Sequence, residues 1–355
     1  METLILSINC GSSSLKFGAF IVGKGQAETV VSDAVENRPD HTASFDEIAA
    51  KLDGAQPDAV GHRIVHGGPT LFGPRLIDNG VIADLEAACK FAPLHGRAAL
   101  DLIAEAQRRY PGTPQIACFD TGFHEHLPAI AAILPVPKAL QAAEVRRYGF
   151  HGLSCQSIVR QLGANRPKRL VVAHLGSGAS VTAVLNGVSV DTSMGLTPSG
   201  GVVMATRSGD LDPGLLLFLL RKDGMTAGRL EELLDHESGL LGISGQSGDL
   251  QKLRQLALAV PDAQLAIDIF CRSVAKQIAA MIASLGGIDL LVFSGGIGEH
   301  DAETRNALCA DLVWAGVKQG ADAGNVRACS ADEEEQIAWD TSALMLAGGA
   351  HNVSV

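Results

Sequence analysis

A short polar turn interrupts the first apolar run of the chain, in the segment INCGSSSLKF. Asn9, three serines and Lys16 stand between apolar runs at residues 4–8 and 17–22. Glycine lets backbone N–H groups converge on an anion because no Cβ blocks the approach, and the hydroxyls and the lysine add donors and positive charge. The turn therefore predicts a site for a phosphate group.

Two further units combine a strand with a glycine turn, RLVVAHLGSGASVTAVLNGVSVDTSMG and IDLLVFSGGIGEH. Aligning Gly11 with Gly176 places Ser12 on Ser177 and superposes the flanking apolar runs, which indicates a weak internal duplication. None of these turns is a Walker loop or completes the dinucleotide-binding fingerprint. An ordinary hairpin would explain one such turn, but three in one chain favour phosphate binding.

Two arginines stand next to glycine-rich segments, Arg63 in VGHRIVHGG and Arg207 in MATRSGDLDPG. The planar guanidinium group matches the geometry of phosphoryl and carboxylate groups. A surface salt bridge is the alternative interpretation for either arginine taken alone. Together with the turns, the pair favours a clamp for an anion.

The histidines raise the question of a metal site. His62 and His66 lie four residues apart in a predicted strand, where they would be well separated, and His124 and His126 follow Asp120 without a cysteine pair nearby. This spacing disfavours a zinc enzyme. A further histidine, in RRYGFHGLS, precedes a predicted helix and fits a structural role and an electrophilic catalyst equally well.

The composition fits an enzyme with a large core and argues against a basic binding surface. A chain of 355 residues with 46% hydrophobic and 19% charged residues favours two domains. A net charge of -11 disfavours binding to nucleic acid or to an anionic membrane. Seven cysteines without a Cys-x-x-Cys pair, a start without basic residues and aliphatic blocks too short to cross a bilayer predict a reduced, cytoplasmic protein.

Strand patterns alternate with helix patterns along the chain. Helices are predicted at residues 97–109, at 263–285, after the Asp212-Pro213 pair as far as residue 221, and after Thr226. The alternation predicts an α/β fold with two similar domains around a cleft.

The motifs resemble those of the acetate kinase family from end to end. INCGSSSLK and GHRIVHGG are similar to the family's first two signatures, and APLHG, FDTGFH, RRYGFHG, HLGSGAS, DTSMGLTP, TRSGDLDP and FSGGIGEH follow in the family's order. The resemblance implies a duplicated ribonuclease H-like, actin-like ATPase fold with two domains around a nucleotide cleft. We expect residues 1–124 plus 335–355 to form the first domain, with a returning C-terminal helix. Residues 125–334 would form the second, which carries the adenosine site and the dimer surface.

The resemblance also implies roles for individual residues. Catalysis is assigned to Arg63, Asp120, His151 and Arg207. The metal is assigned to Asn9 and Glu333. The small apolar pocket for the acyl group is assigned to Val65, Leu94, Phe150 and Pro198. Phosphate and nucleotide contacts are assigned to Ser12, Ser14, Lys16, His174, Gly176, Ser177, Gly178, Asp249, Gly296, Ile297 and Gly298.

The implied reaction is Mg²⁺-dependent transfer of phosphate between ATP and acetate, giving acetyl phosphate and ADP, by a homodimer. A carboxylate is already ionised at neutral pH and needs no general base, so Asp120 is expected to orient an arginine or the metal. Three alternatives stay open: a kinase for propionate or another short carboxylate, a nucleotide-gated binding protein, and an inactive paralogue.

Several positions depart from the family pattern. HLGNG becomes HLGSG at Ser177, TPLEG becomes TPSGG, and GTR becomes ATR at Ala205. SNDFRDL becomes SGDLQKL, with Gln251 in place of an arginine, and Asp332 replaces the asparagine before the metal glutamate. Because the clamp residues remain, we expect catalysis to survive and nucleotide preference or acyl-chain length to deviate.

Overall fold

The chain forms two compact units in the computed structural model. The structure describes residues 2–10, 14–36, 41–141, 144–320 and 324–351, without the side chains of Ser14, Pro93, Leu94 and 348–351. The first unit comprises Met1–Glu125, His151–Arg160 and Asp332–Val355, and the second comprises His126–Phe150 and Gln161–Ala331. These are groups of residues that pack together. The domain boundaries inferred from the sequence stay a prediction.

The described elements alternate between strand and helix along the chain. The strands are β1 (Thr3–Cys10), β2 (Ser14–Gly23), β3 (Gln26–Glu36), β4 (Ala59–Ile64), β5 (Arg75–Leu76), β6 (Gln115–Phe119), β7 (Arg169–Leu175), β8 (Ala179–Leu185), β9 (Val188–Thr192), β10 (Leu290–Ser294) and β11 (Val326–Ala328). The helices are α1 (His41–Lys51), α2 (Asn79–Ala88), α3 (Pro93–Arg109), α4 (Ala129–Ala132), α5 (Lys138–Gln141), α6 (Gly152–Leu162), α7 (Pro213–Leu220), α8 (Ala227–His236), α9 (Gly239–Ser244), α10 (Leu250–Leu256), α11 (Pro261–Leu285), α12 (Gly295–His300), α13 (Ala302–Asp311) and α14 (Glu333–His351). Short 3₁₀ turns occur at Cys89–Phe91, Gly122–His124, Gly163–Asn165 and Val313–Ala315.

Each unit contains one mixed sheet, and the two sheets share a strand order. The first is β3-β2-β1-β4-β6-β5 and the second is β9-β8-β7-β10-β11. In both, an antiparallel meander of three strands is extended by two strands that run parallel to its first strand, and the first sheet adds the short β5, which is antiparallel to β6. The same order in both halves agrees with the duplication inferred from the two glycine turns.

The predicted helices occur, with small differences at their starts. Asp212 caps α7 and Thr226 caps α8, as expected from their side chains. The helix predicted from residue 263 begins at Pro261, and Gly286 ends it in the left-handed conformation with φ of 67°. The helix predicted from residue 97 begins four residues earlier, because Pro93 occupies a first-turn position where its missing N–H costs nothing.

The last helix returns to the first sheet. Ile337 and Ala338 of α14 are buried in a cluster with Ile5 and Phe20 of the sheet. The Ser7 hydroxyl on β1 donates a 2.7 Å hydrogen bond to the backbone carbonyl of Glu334. This packing fixes the first turn of α14 beside β1. Within the described ranges, no helix is long and apolar enough to cross a membrane.

A carboxylate on α14 supports a prediction about stability. Burial raises the pKa of Asp340 from its ordinary value of 3.8 to about 6, although Gln336, Gln156 and the charge of Arg160 all act to lower it. The folded state therefore binds more protons than the unfolded state between about pH 4 and pH 6, so stability falls as pH rises through that window.

We expect Asp340→Asn to raise the free energy of unfolding at pH 7.5 by about 1–3 kcal/mol, because two pKa units correspond to roughly 3 kcal/mol. The gain should shrink toward zero near pH 4. Urea unfolding at both pH values measures it, with Asp101→Asn on the exposed face of α3 as the control. A less stable Asp340→Asn protein at pH 7.5 would contradict this account.

Candidate active site

Four predicted residues meet at one edge of the first sheet. Asn9 lies near the end of β1, Arg63 lies near the end of β4, and Asp120 follows β6. β4 pairs in parallel with both β1 and β6, so the carboxyl ends of the three strands reach the same edge. Glu333, the first residue of α14, joins them there.

Arg63 is the centre of this cluster. Its Nε and Nη2 donate to Asp120 Oδ2 at 2.9 and 2.6 Å, and its Nη1 donates to Asn9 Oδ1 at 2.9 Å. Nη1 also lies 3.7 Å from Glu333 Oε2. The guanidinium is thus fixed by three side chains and is fully charged at any physiological pH.

The charged groups in the cluster shift one another's pKa values. Burial lowers the pKa of Arg63, but the negative charges of Asp120 and Glu333 outweigh this and raise it overall. Burial raises the pKa of Asp120, against the lowering effect of Arg63, and the charge of Glu333 raises it further. Asp120 is therefore a carboxylate that depends on a cation to stay ionised.

Glu334 is a member of the cluster that the sequence did not single out. Asn9 Nδ2 donates to Glu334 Oε1 at 2.8 Å and to Glu333 Oε2 at 3.1 Å. Burial, and next the charge of Glu333, raise the pKa of Glu334. The run of three glutamates at the start of α14 was the available signal, but only the fold shows that two of them face Asn9.

One buried oxygen of the cluster can accept a further positive partner. Asp120 is 1% exposed, and its Oδ1 atom has no hydrogen-bond partner among the described residues. Within that part of the chain, no group of three His, Cys, Asp or Glu side chains is arranged to hold a metal ion by itself. Mg²⁺ does not require one, because it commonly binds one or two carboxylates together with water and phosphate oxygens. The donor set therefore fits Mg²⁺.

His151 is attached to the cluster through the backbone. It adopts φ of 55°, which is unusual for a residue other than glycine. The next residue, Gly152, donates its N–H to the Asp120 carbonyl at 2.8 Å, and a Cβ there would lie 2.1 Å from that oxygen. The strained turn thus fixes the start of α6 against Asp120, as strained residues at functional sites often do.

His62 and His66 have structural partners. Burial lowers the pKa of His62 to about 4, and this neutral ring forms a 2.7 Å hydrogen bond with Gln115. His66 accepts a 2.9 Å hydrogen bond from the Gly68 N–H and stacks on Phe91. β4 ends before His66, so the two rings do not share a strand. These contacts agree with the expectation that they are not zinc ligands.

The remaining predicted residues of the first unit lie near the cluster or outside the described part. Val65 follows β4 directly and is half-buried. Lys16 lies on β2 opposite Asn9. Ser12 and the side chains of Ser14 and Leu94 lie outside the described residues.

The predicted nucleotide residues come together at the corresponding edge of the second sheet. His174 on β7 pairs with Ser294 on β10, and a glycine turn follows β7 while the glycine-rich helix α12 follows β10. The Gly176 N–H donates to the Gly178 carbonyl at 2.9 Å. Gly295 has φ of 75°, and a Cβ there would lie 2.7 Å from the Leu175 carbonyl, so only glycine fits. Ser177 lies in the turn after β7, and Gly296, Ile297 and Gly298 lie in α12, which begins at Gly295 directly after β10. The glycine turn predicted in FSGGIGEH is therefore a short helix.

Asp249 has a local structural role. Its Oδ1 accepts from the backbone N–H groups of Gln251 and Lys252 at 2.8 and 3.2 Å and so caps α10. Arg254, one turn later, donates to Asp301 Oδ2 at 3.1 Å and to Thr304 Oγ1 at 2.6 Å. Arg254 is thus bonded to residues at the start of α13, and it does not replace the family's arginine at position 251.

Arg207 and two of the predicted pocket residues lie in the second unit. Arg207 Nη1 donates to the carbonyl of Pro198 at 3.3 Å, and the Arg207 carbonyl accepts from the Met204 N–H at 3.1 Å. Phe150 is 1% exposed. Gly239 touches the backbone of this segment, and a Cβ there would lie 2.3 Å from the Met204 carbonyl and 2.7 Å from that of Arg207.

Comparison with known proteins identifies the family. The profile of the Acetokinase family matches residues 21–347. The chain belongs to the acetokinase family. An acetate kinase of Rhodopseudomonas palustris is 40% identical over 358 residues, which cover 91% of this chain and 89% of that protein.

Two solved structures of similar proteins have the same fold. The crystal structure of Porphyromonas gingivalis acetate kinase has a TM-score of 0.84 at 31% identity, covering 97% of this chain and 100% of that one. A propionate kinase from Francisella tularensis has a TM-score of 0.84 at 32% identity, covering 96% and 99%. The family and the α/β fold class predicted from the motifs are confirmed, and membership of the acetokinase family makes this chain a kinase.

Gly239 supplies a test of the Arg207 segment. We expect Gly239→Ala to lower kinase kcat at least tenfold, because the new methyl must displace the backbone that carries Arg207. It should also cost about 2–5 kcal/mol of stability, since backbone strain contributes about 1–2 kcal/mol and overpacking about 1–3 kcal/mol. Kinetics and urea unfolding of the purified variant measure both effects.

Gly245→Ala is the matched control. Gly245 ends the same short helix with φ of 61°, and a Cβ there meets nothing within 4 Å. Gly245→Ala should therefore be destabilised only by the backbone strain, about 1–2 kcal/mol, and should keep its kcat. Equal kcat values in the two variants would show that the Gly239 contact does not support Arg207.

Proposed function

We propose that this chain is a Mg²⁺-dependent acetate kinase, which transfers phosphate reversibly and directly between ATP and acetate. The observation that carries the proposal is the buried Arg63–Asp120 pair with Asn9 and Glu333, at the edge where three parallel strands end. Family membership adds that relatives with 40% and 38% sequence identity to this chain are named acetate kinases.

The chemistry requires cations more than it requires a base. A carboxylate nucleophile is ionised at neutral pH, so the obstacle is the approach of one anion to another. Arg63, held rigidly by Asp120 and Asn9, supplies positive charge that needs no reorganisation during the reaction. Arg207 is proposed to supply a second guanidinium, and His151 a neutral or protonated donor to the transferring group.

Asn9, Asp120 and Glu333 are proposed to hold Mg²⁺. When bound, the ion would neutralise phosphate charge and orient the nucleotide. The unpartnered Oδ1 of Asp120 supports this assignment. Asp120 thus orients Arg63 and the metal and does not act as a base. An Asp120→Asn enzyme that keeps full activity at every Mg²⁺ concentration would remove it from this role.

One coupled assay tests the activity. Purified protein with acetate, ATP and Mg²⁺ should form ADP and acetyl phosphate, and acetyl phosphate with ADP should form ATP. Nucleotide binding without either reaction would favour the nucleotide-gated binding protein or the inactive paralogue instead.

Arg63→Ala is expected to lower kcat about 10²–10³-fold, the typical loss for one donor to the transition state. Because the change also leaves Asp120 buried without its cation, circular dichroism must first show that the variant is folded. Arg63→Lys keeps the charge and loses the planar fork, so its kcat should lie between those of the wild type and of Arg63→Ala. Arg108→Ala, at an exposed ion pair with Glu105 on α3, is the control. A normal kcat for folded Arg63→Ala would refute the assignment.

Propionate is the closest alternative acceptor. The P. gingivalis acetate kinase and the F. tularensis propionate kinase are equally similar to this structure. The pocket assigned to Val65, Leu94, Phe150 and Pro198 does not decide between the two acids, because one methylene group is worth only about 1–3 kcal/mol. The ratio of kcat/KM for acetate and propionate decides.

Nucleotide preference is the property most affected by the departures. Gln251 is exposed, and Arg254, the arginine of α10, is bonded to Asp301 and so does not take the missing position on the first turn of α10. We propose that His174, the Gly176–Gly178 turn and Gly296–Gly298 contact the nucleotide mainly through the backbone. Turnover with ATP, GTP and pyrophosphate tests how selective the base site is.

A homodimer is proposed through the second unit. α7 exposes four large apolar side chains, between 38% and 57% each, on a helix with no buried residue: Leu215, Leu217, Phe218 and Leu220. Such a surface is typical of a protein interface. Light scattering should give twice the monomer mass.

The cytoplasm is the proposed location, with no nucleic acid or membrane partner. The seven cysteines are free thiols, as is usual in a reducing compartment, and the acidic net charge disfavours polyanions. Cell fractionation tests the location.

A further inference from the structure

Two helices of the first unit begin at residues of the candidate site. α6 begins directly after His151, and α14 begins with Glu333. The geometry of the site depends on how these helices are joined.

Arg160 of α6 makes several contacts with α14. Its Nη1 lies 2.7 Å from Glu335 Oε1, and its Nε donates to Gln336 Oε1 at 2.9 Å. Its guanidinium carbon lies 5.5 Å from the centre of the Trp339 ring, within the range of a cation–π interaction. Trp339 Nε1 in turn donates to Glu335 Oε1 at 2.9 Å. One guanidinium thus contacts three side chains of α14, those of Glu335, Gln336 and Trp339.

A second connection lies beside the first. Asp340 Oδ1 accepts from Gln156 Nε2 of α6 at 2.7 Å and from Gln336 Nε2 of α14 at 2.9 Å. Gln336 therefore bonds to both Arg160 and Asp340. These side chains form one polar network between the helices, which we call the α6–α14 network: Gln156, Arg160, Glu335, Gln336, Trp339 and Asp340.

The α6–α14 network ends beside the residues assigned to the metal. Asp332 Oδ1 accepts from the Glu335 N–H at 2.9 Å and caps the helix there. Glu335 directly follows Glu333 and Glu334, which both bond to Asn9. A guanidinium that fixes Glu335 and Gln336 therefore limits the rotation and slide of the turn that presents Glu333.

Stability alone is a poor reason for this arrangement. Arg160 Nη2 is buried and has no hydrogen-bond partner among the described residues, which carries a cost. Partly buried ion pairs often contribute little net stability, and their clearest benefit is to specify geometry. The planar fork and the stacked ring define an orientation that a lysine could not reproduce.

We propose that Arg160 is a positioning residue, which holds the first turn of α14 against α6 so that Glu333 and Asn9 keep the geometry needed for Mg²⁺. This inference rests on the proposed function of Glu333 as a metal residue. Arg160 itself touches neither Asn9 nor Arg63 in the contacts above, and it acts through Glu335 and Gln336.

Kinetics of Arg160→Met test the proposal in the full-length enzyme. We expect the apparent KM for Mg²⁺, at saturating ATP and acetate, to rise about 5–20-fold, with kcat at saturating Mg²⁺ within about threefold of the wild type. Arg160→Lys keeps a charge for Glu335 but loses the fork to Gln336, so it should restore part of the Mg²⁺ affinity. Arg108→Met is the control, because its ion pair lies within α3, and its KM for Mg²⁺ should not change.

Hydrogen–deuterium exchange supplies a readout that does not depend on activity. Arg160→Met should raise exchange in peptides covering residues 333–336, whereas Arg108→Met should not. Trp339 emission, read in a Trp314→Phe background, shows whether the variant has folded with α14 in place. If Arg160→Met fails to fold, the same comparison is made with Arg160→Lys.

The outcomes are distinguishable. Raised exchange together with a raised KM for Mg²⁺ supports the positioning role. Unchanged exchange, or raised exchange with an unchanged KM for Mg²⁺, overturns it, as does an equal loss of kcat at every Mg²⁺ concentration. If the wild type is inactive, the proposed function fails, and exchange at residues 333–336 alone decides whether Arg160 holds the turn.

Discussion

The structure of the candidate site depends on a buried cation held between carboxylates. Arg63 donates two hydrogen bonds to Asp120 and one to Asn9, and Glu333 lies within ion-pair distance. Removing Arg63 would leave the buried Asp120 carboxylate without its cation, which costs several kcal/mol. The arginine therefore keeps one orientation before any substrate arrives, and that fixed charge is what the approach of two anions requires.

The fold produces this arrangement because parallel strands end at a common edge. β4 lies between β1 and β6, so the last residues of three strands meet, and α14 returns to the sheet to add its glutamates. In the second unit the same strand order brings the Gly176 turn and the start of α12 together after β7 and β10. The same topology thus leads to charged side chains in one unit and to glycine-rich segments in the other.

Local chemistry made much of this predictable from the sequence, and long-range contacts account for the rest. The caps at Asp212 and Thr226 followed from neighbouring residues. Arg63 stood out beside a glycine-rich segment, whereas Asn9, Asp120 and Glu333 were assigned their roles through the resemblance to the acetate kinase motifs. Glu334 and Arg160 were missed because their partners lie 325 and 176 residues away. α12 was read as a glycine turn because three glycines among its six residues give little helix signal.

The departures from the family pattern fall mainly where the backbone makes the contact. Asp332 caps α14 through an oxygen that asparagine also offers, and Ser177 accepts the Ala205 N–H through its carbonyl at 3.2 Å. The extra methyl at Ala205 faces Gly248, where a Cβ would lie 3.3 Å from that of Ala205 and 2.7 Å from its carbonyl oxygen. We infer that the changes at Ala205 and Gly248 compensate each other, because position 205 gains a methyl group where position 248 has lost a side chain. Gln251 has no such compensation, because the nearby Arg254 is bonded to α13. The chain has therefore kept the four residues of the charged cluster, and at Gln251 it has lost a positive charge that Arg254 does not restore.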